Sequence, residues 1–135
     1  MIVLDNDVLV KLGGKDSDPA VVDHLRRYSS EEWTIPAIVA WEFYKSCRGR
    51  TEIQRARRTL NENLDRILEF TDGTAAEAAY LGEKLRSQEV SLSPADLLNL
   101  ATAYESGGTF VTHNKRDFDK PPLRQLVDVD VIRTA

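Results

Sequence analysis

Three stretches of this 135-residue chain place chemically capable side chains directly after, or at the head of, apolar runs. Asp5 follows Ile2-Val3-Leu4, with Asp7 two residues on. Asp96 sits behind Ser93-Pro94-Ala95 at the head of an apolar stretch. Thr112-His113-Asn114-Lys115-Arg116-Asp117 follows Thr109-Phe110-Val111 and brings a hydroxyl, an amide, two cations and an acid. A further acid, Glu42, stands inside Ile38-Val39-Ala40-Trp41-Glu42-Phe43-Tyr44. Each has an ordinary structural explanation. Asp5 and Asp7 suit a helix N-cap. Ser93-Pro94-Ala95-Asp96 is a well-formed helix start, with Ser93 as cap, Pro94 at N1 and Asp96 at N3. Glu42 either faces solvent, pairs with Lys45 or Arg48, or is an acid that apolar neighbours make costly to bury. Jointly they mean more. Carboxylates that meet in one place repel one another unless a cation sits among them. A hard divalent ion supplies that charge and activates water for attack on a phosphodiester.

The surrounding elements decide whether these groups meet. Ile2-Val3-Leu4 is fully apolar, as expected of a central strand covered on both faces. Asp18 to Tyr28 reads as a helix with an Asp-Pro start, and Trp33 to Pro36 as a second strand. Ala37 to Ser46 reads as a helix stopping near Gly49. The stripe Ile53, Ala56, Leu60, Leu64 and Ile67 predicts one amphipathic helix over 52–68. Glu69-Phe70-Thr71 reads as a short strand, Thr74 to Gln88 and Ser93 to Glu105 as helices, and Thr109 to Thr112 as a strand. Asn114 to Phe118 suits a turn or short helix, and the alternating Val127 to Ile132 an edge strand. Strand and helix alternate throughout 1–135, which predicts a single α/β domain with a mainly parallel sheet and helices on both faces. In such sheets function gathers beyond the carboxyl ends of the strands, where Asp5, Asp96 and the Thr112–Asp117 loop all map.

Composition narrows the chemistry further. Hydrophobic residues make up 41% and charged residues 30%, which excludes a disordered or low-complexity chain. No apolar run approaches the length a bilayer needs, and the start lacks a signal peptide's basic and apolar regions, so a cytoplasmic protein without membrane association is expected. One cysteine, Cys47, and two distant histidines, His24 and His113, leave no soft-ligand metal site. Any bound metal must rest mostly on carboxylates, which favours Mg²⁺ or Mn²⁺. The net charge is −4, yet the segment 46–66 holds six Arg against three acids, leaving −7 elsewhere. A basic arm on an acidic body is compatible with phosphate contact, and equally with a solvated helix in which Glu62 pairs with Arg58 and Arg66.

Taken in order, Ile2-Val3-Leu4-Asp5-Asn6-Asp7-Val8-Leu9, Glu42 in its apolar helix, Pro94-Ala95-Asp96-Leu97-Leu98-Asn99-Leu100-Ala101-Thr102-Ala103, and Phe110-Val111-Thr112-His113-Asn114-Lys115-Arg116-Asp117-Phe118 resemble the PIN-domain ribonucleases. The size and ending resemble the VapC toxins of toxin–antitoxin pairs. The resemblance implies a three-layer α/β/α sandwich and a Mg²⁺- or Mn²⁺-dependent endoribonuclease. Asp5, Glu42 and Asp96 match the family's first three acids. The fourth falls at Asn114 in some members and at a later acid, here Asp117, in others; Asp117 is the favoured acid, with Asn114 a supporting polar group. Thr112 matches the site hydroxyl. Asp5 and Asp96 would ligate the principal metal, with Glu42 and Asp117 completing the cluster. The resemblance further implies an RNA substrate, a cognate antitoxin and a homodimer. The chain departs from the family at Asn6, usually Thr or Ser, and at Asp7, usually Asn or Ser.

Two rival readings use the same residues. Asp5-Asn6-Asp7-Val8 after an apolar strand also fits a haloacid-dehalogenase-like phosphatase, with Asp5 as nucleophile and Asp7 as general acid. A non-catalytic domain that only binds RNA or protein is the second. Because an acidic site repels RNA, affinity has to come from cations elsewhere. Arg55 and Arg58, opposite the apolar stripe, and Lys115 and Arg116, beside the site, are the two candidate clusters; Arg57 lies nearer the stripe and suits a snorkelling role.

Overall fold

The computed structural model describes residues 1–13, 15 and 17–133. Five strands form one sheet: β1 (Ile2–Leu4), β2 (Trp33–Pro36), β3 (Arg66–Leu68), β4 (Thr109–Thr112) and β5 (Val129–Val131). Their order is β3-β2-β1-β4-β5 and every pairing is parallel. The helices are α1 (Asn6–Leu9), α2 (Pro19–Leu25), α3 (Ala37–Tyr44), α4 (Gly49–Asn63), α5 (Asp72–Ser87), α6 (Pro94–Ser106), α7 (Lys115–Phe118) and α8 (Pro121–Leu126).

Period-two alternation along the central strands builds two cores, one on each sheet face. Ile2 and Leu4 of β1 join Val111 of β4 in a core with Val8, Val21, Leu25 and Leu60. Val3 and Phe110 point the other way, into a core with Leu81, Leu85, Leu100 and Phe118. The result is the expected α/β/α sandwich. Gly107 caps α6 at φ 76°, and Gly108 lets the chain pass β1, since a Cβ there would stand 2.9 Å from Val3 Cγ2. No helix among the described residues is long and apolar enough to cross a membrane.

The sheet order matters for function. The chain leaves β1 for β2 and β3 on one side, then returns to β4 and β5 on the other. The order therefore reverses between β1 and β4, and their carboxyl ends flank the crevice where ligands of such sheets bind.

Three expectations are corrected, and one further helix is added. The helix expected over 52–68 is α4, which begins at Gly49 and ends at Asn63; Leu64 is extended (φ −118°, ψ 149°) and 66–68 is β3. Leu64 and Ile67 continue the apolar stripe by coincidence. The free edge of β2 takes the segment instead, with the Asp65 amide donating to Trp33 O at 2.9 Å and the Trp33 amide to Asp65 Oδ2 at 2.8 Å. No strand forms at 69–71, because Thr71 is the N-cap of α5 in a reciprocal capping box with Thr74. The helix over 18–28 ends at Leu25 and tightens into a 3₁₀ turn at Arg26–Tyr28. Helix α8, which starts on Pro121-Pro122, went unanticipated in the sequence, although paired prolines at N1 and N2 are a start signal.

Candidate active site

Asp5 emerges from β1 as the N-cap of α1, its Oδ1 accepting from the Asn6 amide at 2.8 Å. Its second oxygen accepts from the hydroxyl of Thr112, at the end of β4, at 2.9 Å. The two central strands thus deliver one acid and one hydroxyl into contact across the crevice. Asp5 is 6% exposed. Burial, then the neighbouring Asp7 carboxylate, push its carboxyl from an ordinary 3.8 up to about 7. The bonds from Thr112 and Asn6 work against that rise, and Asp96 adds to it.

Asp96 sits in the first turn of α6, behind its Ser93 cap. Burial raises its carboxyl, aided by the charges of Asp117, Glu42 and Asp7, against the bond from Ser93. That one acid feels three others from α7, α3 and α1 establishes a shared electrostatic space. Asp7 is raised as well, chiefly by burial; the His113 amide, donating to its Oδ1 at 3.3 Å, and the charge of Lys11 oppose the rise. Lys11 Nζ lies 2.8 Å from His113 Nδ1.

The α7 turn carries the remaining polar groups. Asn114 caps it, its Oδ1 accepting from the Asp117 amide at 3.1 Å and its Nδ2 donating to Asp117 Oδ2 at 2.8 Å. The Asn114 amide donates to Thr112 Oγ1 at 3.1 Å. Asn114 and Asp117 therefore act as a joined pair rather than alternatives, and Thr112 links them to Asp5.

Glu42 settles a question that α3 left open. It pairs with neither Lys45 nor Arg48; its Oε1 accepts from Asn99 Nδ2 at 3.0 Å. Lys45 instead lies over the Trp41 ring. Asn99 is 1% exposed, three residues after Asp96 on α6, so both project from one helix face. Its Oδ1 is buried without a partner. Asn99 is the site-proximal residue that sequence reading missed. The available signal was a lone amide within Leu97–Ala103, an otherwise mostly apolar run.

Asp5, Glu42, Asp96 and Asp117 form no ion pair among the described residues. Nor do three His, Cys, Asp or Glu side chains among these residues stand grouped as a ready-made ion site. Asp5 stands at the end of β1, Asp96 in the first turn of α6, Asp117 in α7 and Glu42 on α3. Their donors are all hard carboxylate oxygens carrying uncompensated charge, and that donor set fits a hard divalent cation.

The PIN domain family model matches residues 2–122. No curated protein matches the chain. Among solved structures, it is similar to one of FitAB bound to an IR36 DNA fragment, at 23% identity, 97% coverage of this chain, 94% of that one and a TM-score of 0.77. It is also similar to a toxin–antitoxin complex from Klebsiella pneumoniae (21% identity, full coverage of both chains, TM-score 0.75). A structure of VapBC2 from Rickettsia felis, bound to a fragment of promoter DNA, matches at 18% identity, 97% and 98% coverage and a TM-score of 0.74. At these identities the likeness is one of fold.

Proposed function

Because the chain belongs to the PIN-domain family, we propose that it is a metal-dependent endoribonuclease serving as the toxin of a toxin–antitoxin pair. The observation that carries this reading is the placement of buried Asp5 against Thr112 at the ends of the two central strands, where its carboxyl is raised beside the charges of Asp7 and Asp96 and forms no ion pair among the described residues. Acids raised by burial and by one another cluster at functional sites, where a bound cation relieves the repulsion. Family membership displaces the phosphatase reading of Asp5.

Asp5 and Asp96 would hold Mg²⁺ or Mn²⁺, with Glu42 and Asp117 completing the acidic set. When bound, a divalent ion lowers the pKa of a coordinated water and offsets charge gathering on the phosphate. The chain's own residues do the rest. Thr112 fixes one oxygen of Asp5, and the Asn6 amide the other, so this carboxylate is held in one orientation. Asn99 fixes Glu42, and Asn114 fixes Asp117. Near neutral pH the Asp5 carboxyl shares its proton with solvent and must release it to act as a ligand.

RNA as substrate rests on the family resemblance of the motifs, and the antitoxin partner on the fold shared with the toxin–antitoxin complexes. Exposed Trp41, Tyr80 and Tyr104 offer apolar surface for a homodimer, which sedimentation equilibrium checks. The deciding experiment is cleavage of labelled single-stranded RNA with Mg²⁺ or Mn²⁺, set against Asp5→Asn and Asp96→Asn. Metal-stimulated cleavage that both variants lose supports the assignment. Binding of RNA with no cleavage by the parent points to the non-catalytic reading, and unchanged cleavage by both variants sinks the site.

A further inference from the structure

Arg50, Arg55 and Arg58 of α4 are exposed and form no ion pair among the described residues. The pairing expected of Glu62 with Arg58 and Arg66 does not form among the described residues. Arg58 lies beyond ion-pair reach of Glu62, and Arg66 turns to Glu32, its Nε 2.9 Å from Oε2. The three arginines and their neighbours Thr51 and Gln54 line a shallow cleft of about 430 Å³. Arg55 also lines a second cleft, of about 580 Å³, together with Asn6, Glu42, Phe43 and Cys47. Asn6 is the residue whose amide holds Asp5. One arginine therefore joins a basic patch to the edge of the acidic crevice.

The physical problem this arrangement answers is electrostatic. Asp5, Asp7, Glu42 and Asp96 repel a polyanion, so binding energy for one has to come from cations displaced from the acids. From Arg50 to Arg58 the patch covers about 12 Å of helix axis, enough for more than one phosphate. The cleft beside Glu42 has Phe43 and Val10 in its walls, an apolar lining that suits an unpaired base. Glu52 lies in the same cleft, with its Oε2 engaged by the Arg48 amide.

We propose that this face of α4 is the track by which the backbone of single-stranded RNA reaches the acidic crevice, with Arg55 at the junction. The proposal rests on the endoribonuclease reading and names where its substrate lies.

The test uses the full chain in EDTA, a fluorescent single-stranded RNA of mixed sequence, and a series of salt concentrations. Arg55→Gln with Arg58→Gln should weaken binding and flatten the dependence of log affinity on log salt by about 0.7 per lost phosphate contact. Cys47, the chain's one cysteine, supplies a local reporter because it lines the cleft next to Glu42. RNA should slow its alkylation by iodoacetamide in the parent and in Lys115→Gln with Arg116→Gln, but not in the α4 double variant. Circular dichroism confirms that each variant is folded. Parent-like affinity and salt slope in the α4 variant overturn the track. So does RNA binding that leaves Cys47 unprotected, or a parent that binds no RNA. An α4 variant that loses only its protein partner also overturns it and reassigns the face. A parent that binds along this face but does not cleave with Mg²⁺ sinks the catalytic reading and leaves the track standing.

Discussion

Two buried or half-buried aspartates, one within the sheet and one at a strand end, have opposite fates. Asp130, in the middle of β5, points away from buried Val129 and Val131 toward α2. His24 Nε2 lies 2.8 Å from its Oδ2, and the Tyr28 hydroxyl donates to the same oxygen. Burial alone would raise the Asp130 carboxyl, but these two partners outweigh it and hold the group below its ordinary value. Asp5, one strand beyond β4, has the Thr112 hydroxyl and one amide, yet faces Asp7 and Asp96, and its carboxyl rises to about 7. Both sites desolvate a charge. One answers it with a donor pair and clamps α2 to the sheet edge; the other compounds it with like charge. A satisfied acid holds a structure together, whereas an unsatisfied one stores a demand that a ligand can meet.

The contrast is broken most strongly by neutralising each acid in turn. Asp5→Asn should reduce metal-stimulated RNA cleavage by at least about 100-fold, because a ligand is lost where even a supporting group costs about 10–100-fold. The same change should raise the midpoint of thermal unfolding of the metal-free protein at pH 8. A lower midpoint would show that Asp5 is structural in the manner of Asp130. Asp130→Leu should do the reverse: cleavage stays near the parent's, while urea unfolding shows a loss of about 1–3 kcal/mol from the stranded His24 and Tyr28.

Stability as a function of pH sharpens the comparison, since the two shifts have opposite signs. Asp5 is raised, so its favourable contribution is full below 3.8 and is lost as pH climbs toward about 7, by up to about 4 kcal/mol. Asp130 is lowered, so its contribution is present above 3.8 and is lost as pH falls through its depressed folded value. Urea midpoints measured from pH 3 to pH 8 should therefore show Asp5→Asn gaining on the parent as pH rises. Asp130→Leu should fall furthest behind at neutral pH and recover in acid. Parallel curves for either variant contradict the assigned shift.

The smallest effect belongs to Thr112. Its hydroxyl lowers the Asp5 carboxyl, so Thr112→Val should push that group further up. The acid limb of the pH–rate profile should move to higher pH, with cleavage at pH 7 reduced about tenfold and restored in Thr112→Ser. A Val variant whose profile overlays the parent's removes Thr112 from the site.

Much of this site was legible in the chain. Ile2-Val3-Leu4 and Thr109–Thr112 announce central strands, and parallel-sheet logic places the residues after them together; Asp5 and Thr112 meet as that logic requires. Ser93-Pro94 fixes the start of α6 and hence the place of Asp96, because capping is local chemistry. What escaped was decided by contacts distant in sequence. The end of α4 and the existence of β3 follow from the open edge of β2, and an apolar stripe cannot report that edge. Glu42's partner is Asn99, 57 residues away, and only the approach of α3 to α6 selects it over nearby Lys45 and Arg48. The His24–Tyr28–Asp130 clamp spans more than 100 residues for the same reason. Local sequence determined the central strands β1 and β4, the Ser93 cap of α6 and the identities of the acids, since those depend on backbone chemistry within a few residues. Tertiary structure alone decided which acids are satisfied, because that depends on what else is buried beside them.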